Sequence, residues 1–274
     1  MSGSRRWFAV VGLWWVCLSV HAQPGALPQL NTHQQQWIAD QIFQNECAGR
    51  EACLTSWNAG EDFPSLGIGH FIWYRTGQQE AFKESFPDLL AFYVASGVSL
   101  PSWIAGLAEW DNPWSDRETF LASQDSDRMQ SLRQFLLETR QVQAAFIVQR
   151  MRNSLALMQA HSDTPDDLQQ RFATVANAAP PYGMYALIDY VNFKGEGVSA
   201  SERYQGQGWG LLQVLEHMDM AALQSDSGEQ VLSAFARSAR EILDRRIANA
   251  PAERNEIRWR AGWHKRTETY LPGG

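Results

Sequence analysis

The fold of this chain is most constrained by one short segment that contains closely spaced glycines. The pattern of the rest of the chain is helical. Between Ser65 and Tyr74, β-branched and aromatic residues are interrupted by Gly67 and Gly69, which is typical of a β-hairpin. Elsewhere, apolar residues recur at helical spacing. We therefore expect a mainly α protein of the α+β class, in which a helical body and a small β-hairpin lobe flank a cleft.

The first helix is predicted to run from Thr32 to Cys47. Thr32 and Gln35 have the spacing of a capping box, and Gly49 is a plausible stop. Cap signals at Ser115 with Glu118 and at residues 164–166 start further helices. The longest remaining helical stretches are predicted at residues 127–161, 182–193, 209–218, 228–249 and 255–270.

The N-terminal segment has the pattern of a secretory signal. Arg5 and Arg6 precede an apolar run at residues 7–20, and small residues lead to a cleavage site after Ala22. The run is short for a membrane span, and no second one follows it. We expect residues 1–22 to be a signal peptide and the protein to be periplasmic or secreted.

The amino-acid composition and net charge indicate which classes of molecule the protein could bind. With 45% hydrophobic and 19% charged residues, the chain is expected to fold rather than to remain disordered. Its net charge of −7 becomes more negative once Arg5 and Arg6 are removed. So acidic a surface makes a nucleic acid an improbable partner.

Glu46 is the first candidate for chemistry. It lies in the last turn of the predicted first helix, where the negative end of the helix dipole disfavours an ionised carboxylate. Phe43 and Cys47 make its surroundings apolar, with the same effect. A protonated carboxyl is what a general acid needs in order to donate to a departing glycosidic oxygen. The alternative is an ordinary solvated glutamate at a helix end.

Cys47 and Cys53 are six residues apart, which is too far for a disulfide along a continuous helix. They can pair if the helix stops between them, as Gly49 allows. Disulfides persist in an exported protein, so we expect a bridge that clamps the loop beside Glu46. The histidines show no His-x-x-x-His or Cys/His cluster, and we predict neither a metal site nor a cofactor.

Three segments, in order along the chain, resemble the phage-type lysozymes of the lysozyme-like superfamily. In that family a helix-borne Glu precedes an acidic loop and a Thr-Ile-Gly-Tyr/Ile-Gly-His hairpin, to which Glu46 and the Ser-Leu-Gly-Ile-Gly-His run at residues 65–70 are similar. Residues 185–197 resemble the family's core helix, which ends in Asn-x-Gly-x-Gly, and residues 262–271 its closing helix. The resemblance implies one lysozyme-like domain at 23–274, with a small lobe at about 31–77 and an enlarged helical lobe at about 78–271.

The resemblance also implies catalytic roles. Glu46 takes the place of the general acid, and Ser65 that of the threonine whose hydroxyl holds the attacking water. The family's second carboxylate, an Asp, would fall on Thr55 or Ala59, neither of which is acidic. Glu61, which follows a glycine turn, is our preferred substitute.

Two reactions remain open. With a second carboxylate, the protein would be a hydrolase acting on peptidoglycan, a muramidase. Without one, the substrate's own hydroxyl would attack, as in lytic transglycosylases. The competing class is a catalytically inactive lysozyme-like protein that binds cell-wall glycan or a protein partner in the envelope.

Further residues are expected to border the glycan. His70 is interpreted mainly as a hydrogen-bonding support of the hairpin, with a role as base as the alternative. The aromatic residues flanking the hairpin would stack on sugar rings. The expected substrate-binding set is Asn58, Asp62, Trp57, His70, Trp73 and Asn192.

Overall fold

The computed structural model describes residues 27–80 and 83–273, so the predicted signal peptide lies outside the described residues. It is mainly helical with a small antiparallel sheet, as predicted. The α-helices are α1 Thr32–Cys47, α2 Phe86–Ala95, α3 Ser102–Ala105, α4 Arg117–Ala122, α5 Asp127–Glu138, α6 Arg140–Gln159, α7 Pro165–Ala176, α8 Tyr182–Lys194, α9 Leu211–His217, α10 Met220–Leu223, α11 Gly228–Asn249 and α12 Arg260–Glu268. The strands are β1 Thr55–Ser56, β2 Ser65–Leu66, β3 Phe71–Ile72, β4 Arg203–Tyr204 and β5 Gln207–Gly208.

Helix α1 has the predicted bounds but a different cap. The Asn31 side chain accepts a hydrogen bond from the Gln34 backbone N–H at 2.9 Å, and the Gln34 side chain accepts one from Asn31 N–H at 3.0 Å. The capping box therefore lies one residue before the predicted pair of Thr32 and Gln35. At the other end, Ala48 adopts the left-handed conformation with φ of 49° and closes the helix after Cys47.

The glycine-containing segment at residues 65–74 forms the predicted hairpin. Strand β2 pairs with β3, and β1 pairs with the other edge of β2 to give a three-stranded antiparallel sheet. Gly67 has a φ of 68° in the turn, a conformation that favours glycine. Leu66 and Phe71 are fully buried, so one face of this short sheet packs on the helical core.

One buried side chain that the sequence did not single out joins the hairpin turn to helix α6. Gln143 is fully buried, and its Oε1 accepts a hydrogen bond from Ile68 N–H at 2.9 Å. Its Nε2 donates to the carbonyl oxygen of Leu136 at 2.6 Å. A Cβ at Gly67 would lie 2.3 Å from Gln143 Oε1, so glycine is needed for this close approach.

Several predicted boundaries were wrong. The stretch at 127–161 is two helices, α5 and α6, which meet at Thr139, and the stretch at 255–270 divides into the 3-10 helix Glu256–Trp259 and α12. Helix α4 is capped by Asp116 with Thr119 rather than by Ser115 with Glu118. A second two-stranded sheet, β4 with β5, was not predicted because its strands are two residues long.

Helix α8 lies at the centre of the helical body. Each residue from Gly183 to Tyr190 is buried, which explains why this helix is apolar on all sides. The acidic residue among them, Asp189, is 1% exposed. Within 27–80 and 83–273, no helix is both long enough and apolar enough to cross a bilayer.

Replacement of Gln143 by leucine should destabilise the protein by about 1–3 kcal/mol, because it leaves the buried Ile68 N–H and Leu136 carbonyl without partners. Gln149→Leu, on the exposed side of the same helix, is the matched control and should change stability little. Urea unfolding followed by circular dichroism measures both. Equal losses would show that the Gln143 hydrogen bonds do not stabilise the hairpin.

Candidate active site

The predicted disulfide is confirmed and lies directly beside Glu46. Helix α1 ends at Cys47, the chain turns through Ala48 and Gly49, and Cys53 lies in the 3-10 helix Glu51–Leu54. The two Cα atoms are therefore 5.4 Å apart, within bridging distance. The bridge closes a short loop against the end of the helix that carries Glu46.

Glu46 is 19% exposed and lies between the hairpin and the last helix. Its Oε1 accepts a hydrogen bond from Nη2 of Arg266 at 2.5 Å, and its Oε2 is 3.7 Å from Nδ1 of His70. The prediction considered only the helix end and its apolar neighbours. It missed Arg266, which supplies a positive charge directly to this carboxylate.

Arg266 is held by a buried carboxylate behind it. Its Nε and Nη2 donate to the two oxygens of Asp189 at 2.8 and 2.7 Å. Burial alone would lower the pKa of Arg266, but the hydrogen bonds and charge of Asp189, with the charge of Glu46, outweigh it and raise this pKa above its usual value. The guanidinium is therefore a permanent cation.

Asp189 has hydrogen-bond donors on both oxygens. Besides the two bonds from Arg266, it accepts one from the hydroxyl of Tyr270 at 2.8 Å and one from Nδ2 of Asn45 at 3.0 Å. Burial, and then the charge of Asp189, raise the pKa of Tyr270 well above its usual value, so this hydroxyl stays a donor. Four donors make Asp189 a well-satisfied buried carboxylate.

Two carboxylates of this cluster share one cation. Glu46 and Asp189 both pair with Arg266. Asp189 accepts four hydrogen bonds, whereas the contacts of the Glu46 carboxylate are the hydrogen bond from Arg266 and the approach of His70. Glu46 is therefore the less fully hydrogen-bonded of the two carboxylates.

His70 lies where the hairpin turn meets the end of α1. Its backbone has a positive φ of 46°, its Nδ1 faces Glu46, and its Nε2 is 3.6 Å from Sγ of Cys53. The ligand atoms of Cys47, Cys53 and His70 all lie within 4.8 Å of one another. The sequence shows no Cys/His motif, and these three residues become neighbours only in the fold, because His70 comes from the hairpin.

The acidic loop is held by contacts of its own. Nδ2 of Asn58 donates to Oε2 of Glu61 at 3.1 Å, and Nε1 of Trp57 donates to the Glu61 carbonyl at 2.8 Å. Asp62 is exposed and pairs with Arg75 at 2.5 Å. The side-chain contacts seen for Glu61 and Asp62 stay within this loop and its neighbours, so the structure does not bring either carboxylate into contact with Glu46.

Ser65 and Asn192 are the remaining residues that the sequence placed in the site. Ser65 begins β2 and is buried, and its carbonyl accepts a hydrogen bond from Oγ of Ser56 at 3.2 Å. Asn192 is exposed in the last turn of α8, one turn from Asp189. Their predicted roles in holding water and glycan stay predictions.

The two tryptophans predicted to stack on sugar are core residues. Trp57 is 2% exposed and packs edge-on against Phe120, with ring centroids 5.5 Å apart. Trp73 is fully buried against Phe86 at 4.7 Å, and its Nε1 donates to a backbone carbonyl, that of Trp110. Neither presents a ring face to a ligand, so this prediction was wrong.

A stack of cations and aromatic rings continues from the site. The Arg266 guanidinium lies 4.4 Å from the ring centroid of Phe193, and Nζ of Lys194 lies 3.9 Å from that ring and 3.5 Å from the ring of Trp263. Burial is the main reason that the pKa of Lys194 is lowered to about 7, and the positive charge of Arg246 is the next. The negative charge of Glu256 raises this pKa, and the positive charge of Arg266 lowers it further. This amine therefore changes charge near neutral pH.

Comparisons of the chain with protein-family models, with curated proteins and with solved structures found no match. The roles of the site residues therefore rest on their contacts and chemistry.

Replacement of Arg266 by methionine should destabilise the fold by about 3–5 kcal/mol, because Asp189 would then be a buried charge without its cation. Arg260→Met, on the same helix as Arg266, removes an exposed ion pair with Asp244 of α11 and should have little effect. The double variant Asp189→Asn/Arg266→Met should recover part of the loss. Urea unfolding midpoints test this, and similar losses for Arg266→Met and Arg260→Met would contradict it.

Replacement of Lys194 by methionine should stabilise the protein by about 1–3 kcal/mol at pH 6, where the buried amine must carry its charge. Between pH 7 and 10.5 the unfolded chain binds the proton more tightly than the folded one, so the wild type gains stability as the pH rises. The advantage of the variant should therefore shrink by pH 10. Lys265→Met, on an exposed position, should show no such trend, and a pH-independent difference for Lys194→Met would refute the assignment.

Proposed function

We propose that this protein is an exported peptidoglycan-cleaving glycosidase, a muramidase or a lytic transglycosylase, with Glu46 as its general acid. The observation that carries the proposal is the position of Glu46, a part-buried carboxyl that lies between Arg266 and His70 and shares Arg266 with the buried Asp189. Such a group can hold a proton and release it to a departing glycosidic oxygen.

The two oxygens of Glu46 suit different parts of this step. Oε1 is hydrogen-bonded to Arg266, whereas Oε2 faces the hairpin at His70. A proton carried on Oε2 is therefore the one available for transfer to the leaving oxygen. Once it has left, Arg266 stabilises the carboxylate that remains, which lowers the cost of the donation.

The attacking group distinguishes the two reactions. In hydrolysis, Glu61 would take a proton from a water held at Ser65, and a separation of roughly 6.5–9.5 Å between the carboxyl groups would leave room for that water. In transglycosylation, a hydroxyl of the sugar itself attacks, and no second carboxylate is needed. The hydrogen bond from Asn58 to Glu61 orients that carboxylate and supports the first route.

The glycan itself would lie between the hairpin and the helical body. Asn58, Asp62, His70 and Asn192 offer amide, carboxylate and imidazole groups to its hydroxyls, and each is at least partly exposed. Trp57 and Trp73 are excluded from this set by their burial. The proposed location, in the periplasm or outside the cell, follows from the N-terminal signal pattern.

A second candidate function is binding of cell-wall glycan or an envelope protein without catalysis. The ion pair between Glu46 and Arg266 supports this binding function. A neighbouring cation favours an ionised carboxylate, and an ionised carboxylate has no proton to donate. The non-acidic Thr55 and Ala59 support it as well.

Glu46→Gln separates the two functions. In a turbidity assay on purified peptidoglycan, the variant should lose about a hundredfold or more of the wild-type rate, because its amide cannot donate a proton to the leaving group. Glu241→Gln, which removes an exposed partner of His217, is the control and should retain full activity. Equal clearing by Glu46→Gln and wild type, or none by the wild type at any salt or pH, would leave the binding function.

Glu61→Gln then distinguishes the two reactions. A hydrolase should lose most of its activity in this variant and should release reducing ends. A lytic transglycosylase should keep its activity and release 1,6-anhydro ends, which mass spectrometry of the products identifies.

A further inference from the structure

Three groups that bind soft metals meet beside the candidate acid. Cys47 ends helix α1, Cys53 lies in the following 3-10 helix, and His70 comes from the hairpin turn. Their ligand atoms lie within 4.8 Å of one another. In the structure the two sulfur atoms are joined in a disulfide, so the cluster is available to a metal only in the reduced protein.

The spacing of these groups suits tetrahedral zinc. Bonds of about 2.3 Å to sulfur and 2.0–2.1 Å to nitrogen place neighbouring sulfur and nitrogen ligands roughly 3.6 Å apart. Nε2 of His70 is 3.6 Å from Sγ of Cys53. The two sulfur ligands of such a site would have to move apart to roughly 3.8 Å, which cysteines with Cα atoms 5.4 Å apart can do by side-chain rotation.

The orientation of His70 is the second, independent observation. One ring nitrogen, Nε2, faces the sulfur, and the other, Nδ1, faces a carboxylate oxygen of Glu46 at 3.7 Å. A histidine that binds a metal commonly donates its second N–H to a carboxylate, which orients the ring and strengthens it as a ligand.

We propose that reduction of the Cys47–Cys53 disulfide converts this cluster into a zinc site formed by Cys47, Cys53 and His70. A dithiol reductant supplies two electrons and two protons, which break the S–S bond and give two thiols, and the reductant becomes a disulfide. One Zn²⁺ then displaces the two thiol protons, binds both thiolates and Nε2 of the neutral His70, and takes a water as its fourth ligand. Disulfide and zinc are thus alternative clamps on the loop after Glu46.

The experiment is a zinc competition titration of the full-length protein, run oxidised and after reduction with a phosphine, against a chromophoric zinc chelator. The reduced wild type should bind one Zn²⁺ per chain, and the oxidised wild type none. His70→Ala should weaken binding by about tenfold or more, and Glu46→Gln by about tenfold through loss of the carboxylate partner. His264→Ala, which removes an imidazole paired with Asp244, is the control and should bind as the wild type does.

Two further measurements test the zinc site even if the reduced chain loses part of its fold. Co²⁺ in place of Zn²⁺ should give a thiolate-to-metal charge-transfer band, which Cys47→Ser and Cys53→Ser should each weaken. Zn²⁺ should also restore part of the urea midpoint that reduction removes, because the metal closes the same loop as the disulfide. The proposal is overturned if reduced wild type and His70→Ala bind zinc equally, or if the reduced chain binds none. Activity is not a readout here, so failure of the zinc site leaves the glycosidase proposal standing.

Discussion

The buried ion pair between Arg266 and Asp189 is the interaction on which the arrangement of the candidate site depends. It joins the last helix to the central helix α8, and Arg266 extends from it to Glu46 at the end of α1. Asp189 lies in the buried centre of α8, among apolar and aromatic residues. A charge in that position is tolerable only because Arg266, Tyr270 and Asn45 together satisfy it. Helices α1, α8 and α12 are thereby linked through the Asp189 carboxylate.

The hairpin is held against the same helix end from the other side. Gln143 fixes the turn to α6, and the disulfide fixes the chain after α1, so His70 and Glu46 meet at a defined distance. Together these contacts fix the positions of the polar groups at this helix end.

Features of the fold and the site could be predicted when the residues that form them are close together in sequence. Periodicity and caps were enough for α1, α11 and the hairpin, and a helix stop at Gly49 was enough for the disulfide, because those signals are local. The break at Thr139 was missed because no glycine or proline marks it; the hydroxyl of Thr139 instead bonds to the carbonyl of Phe135. Trp57 and Trp73 were misplaced because a large aromatic residue has the same pattern in a core as in a cleft.

The partners of Glu46 could not be found in this way. Arg266 is 220 residues further along the chain, and no periodicity relates the two positions. The same holds for the approach of His70 to the disulfide and for Gln143 to Ile68, which are set by the packing of α6 and the hairpin. The sequence indicated which residue types were worth attention, and only the fold indicated which of them are neighbours.

The distance between Glu46 and Arg266 along the chain also has a consequence for biosynthesis. Helix α1 is synthesised well before the segment that carries Arg266, whose guanidinium Glu46 and Asp189 share. Until that segment has been made and has docked, the two carboxylates lack the cation between them, and burial of the Asp189 charge is unfavourable. Assembly of the site therefore waits for the segment that carries Arg266.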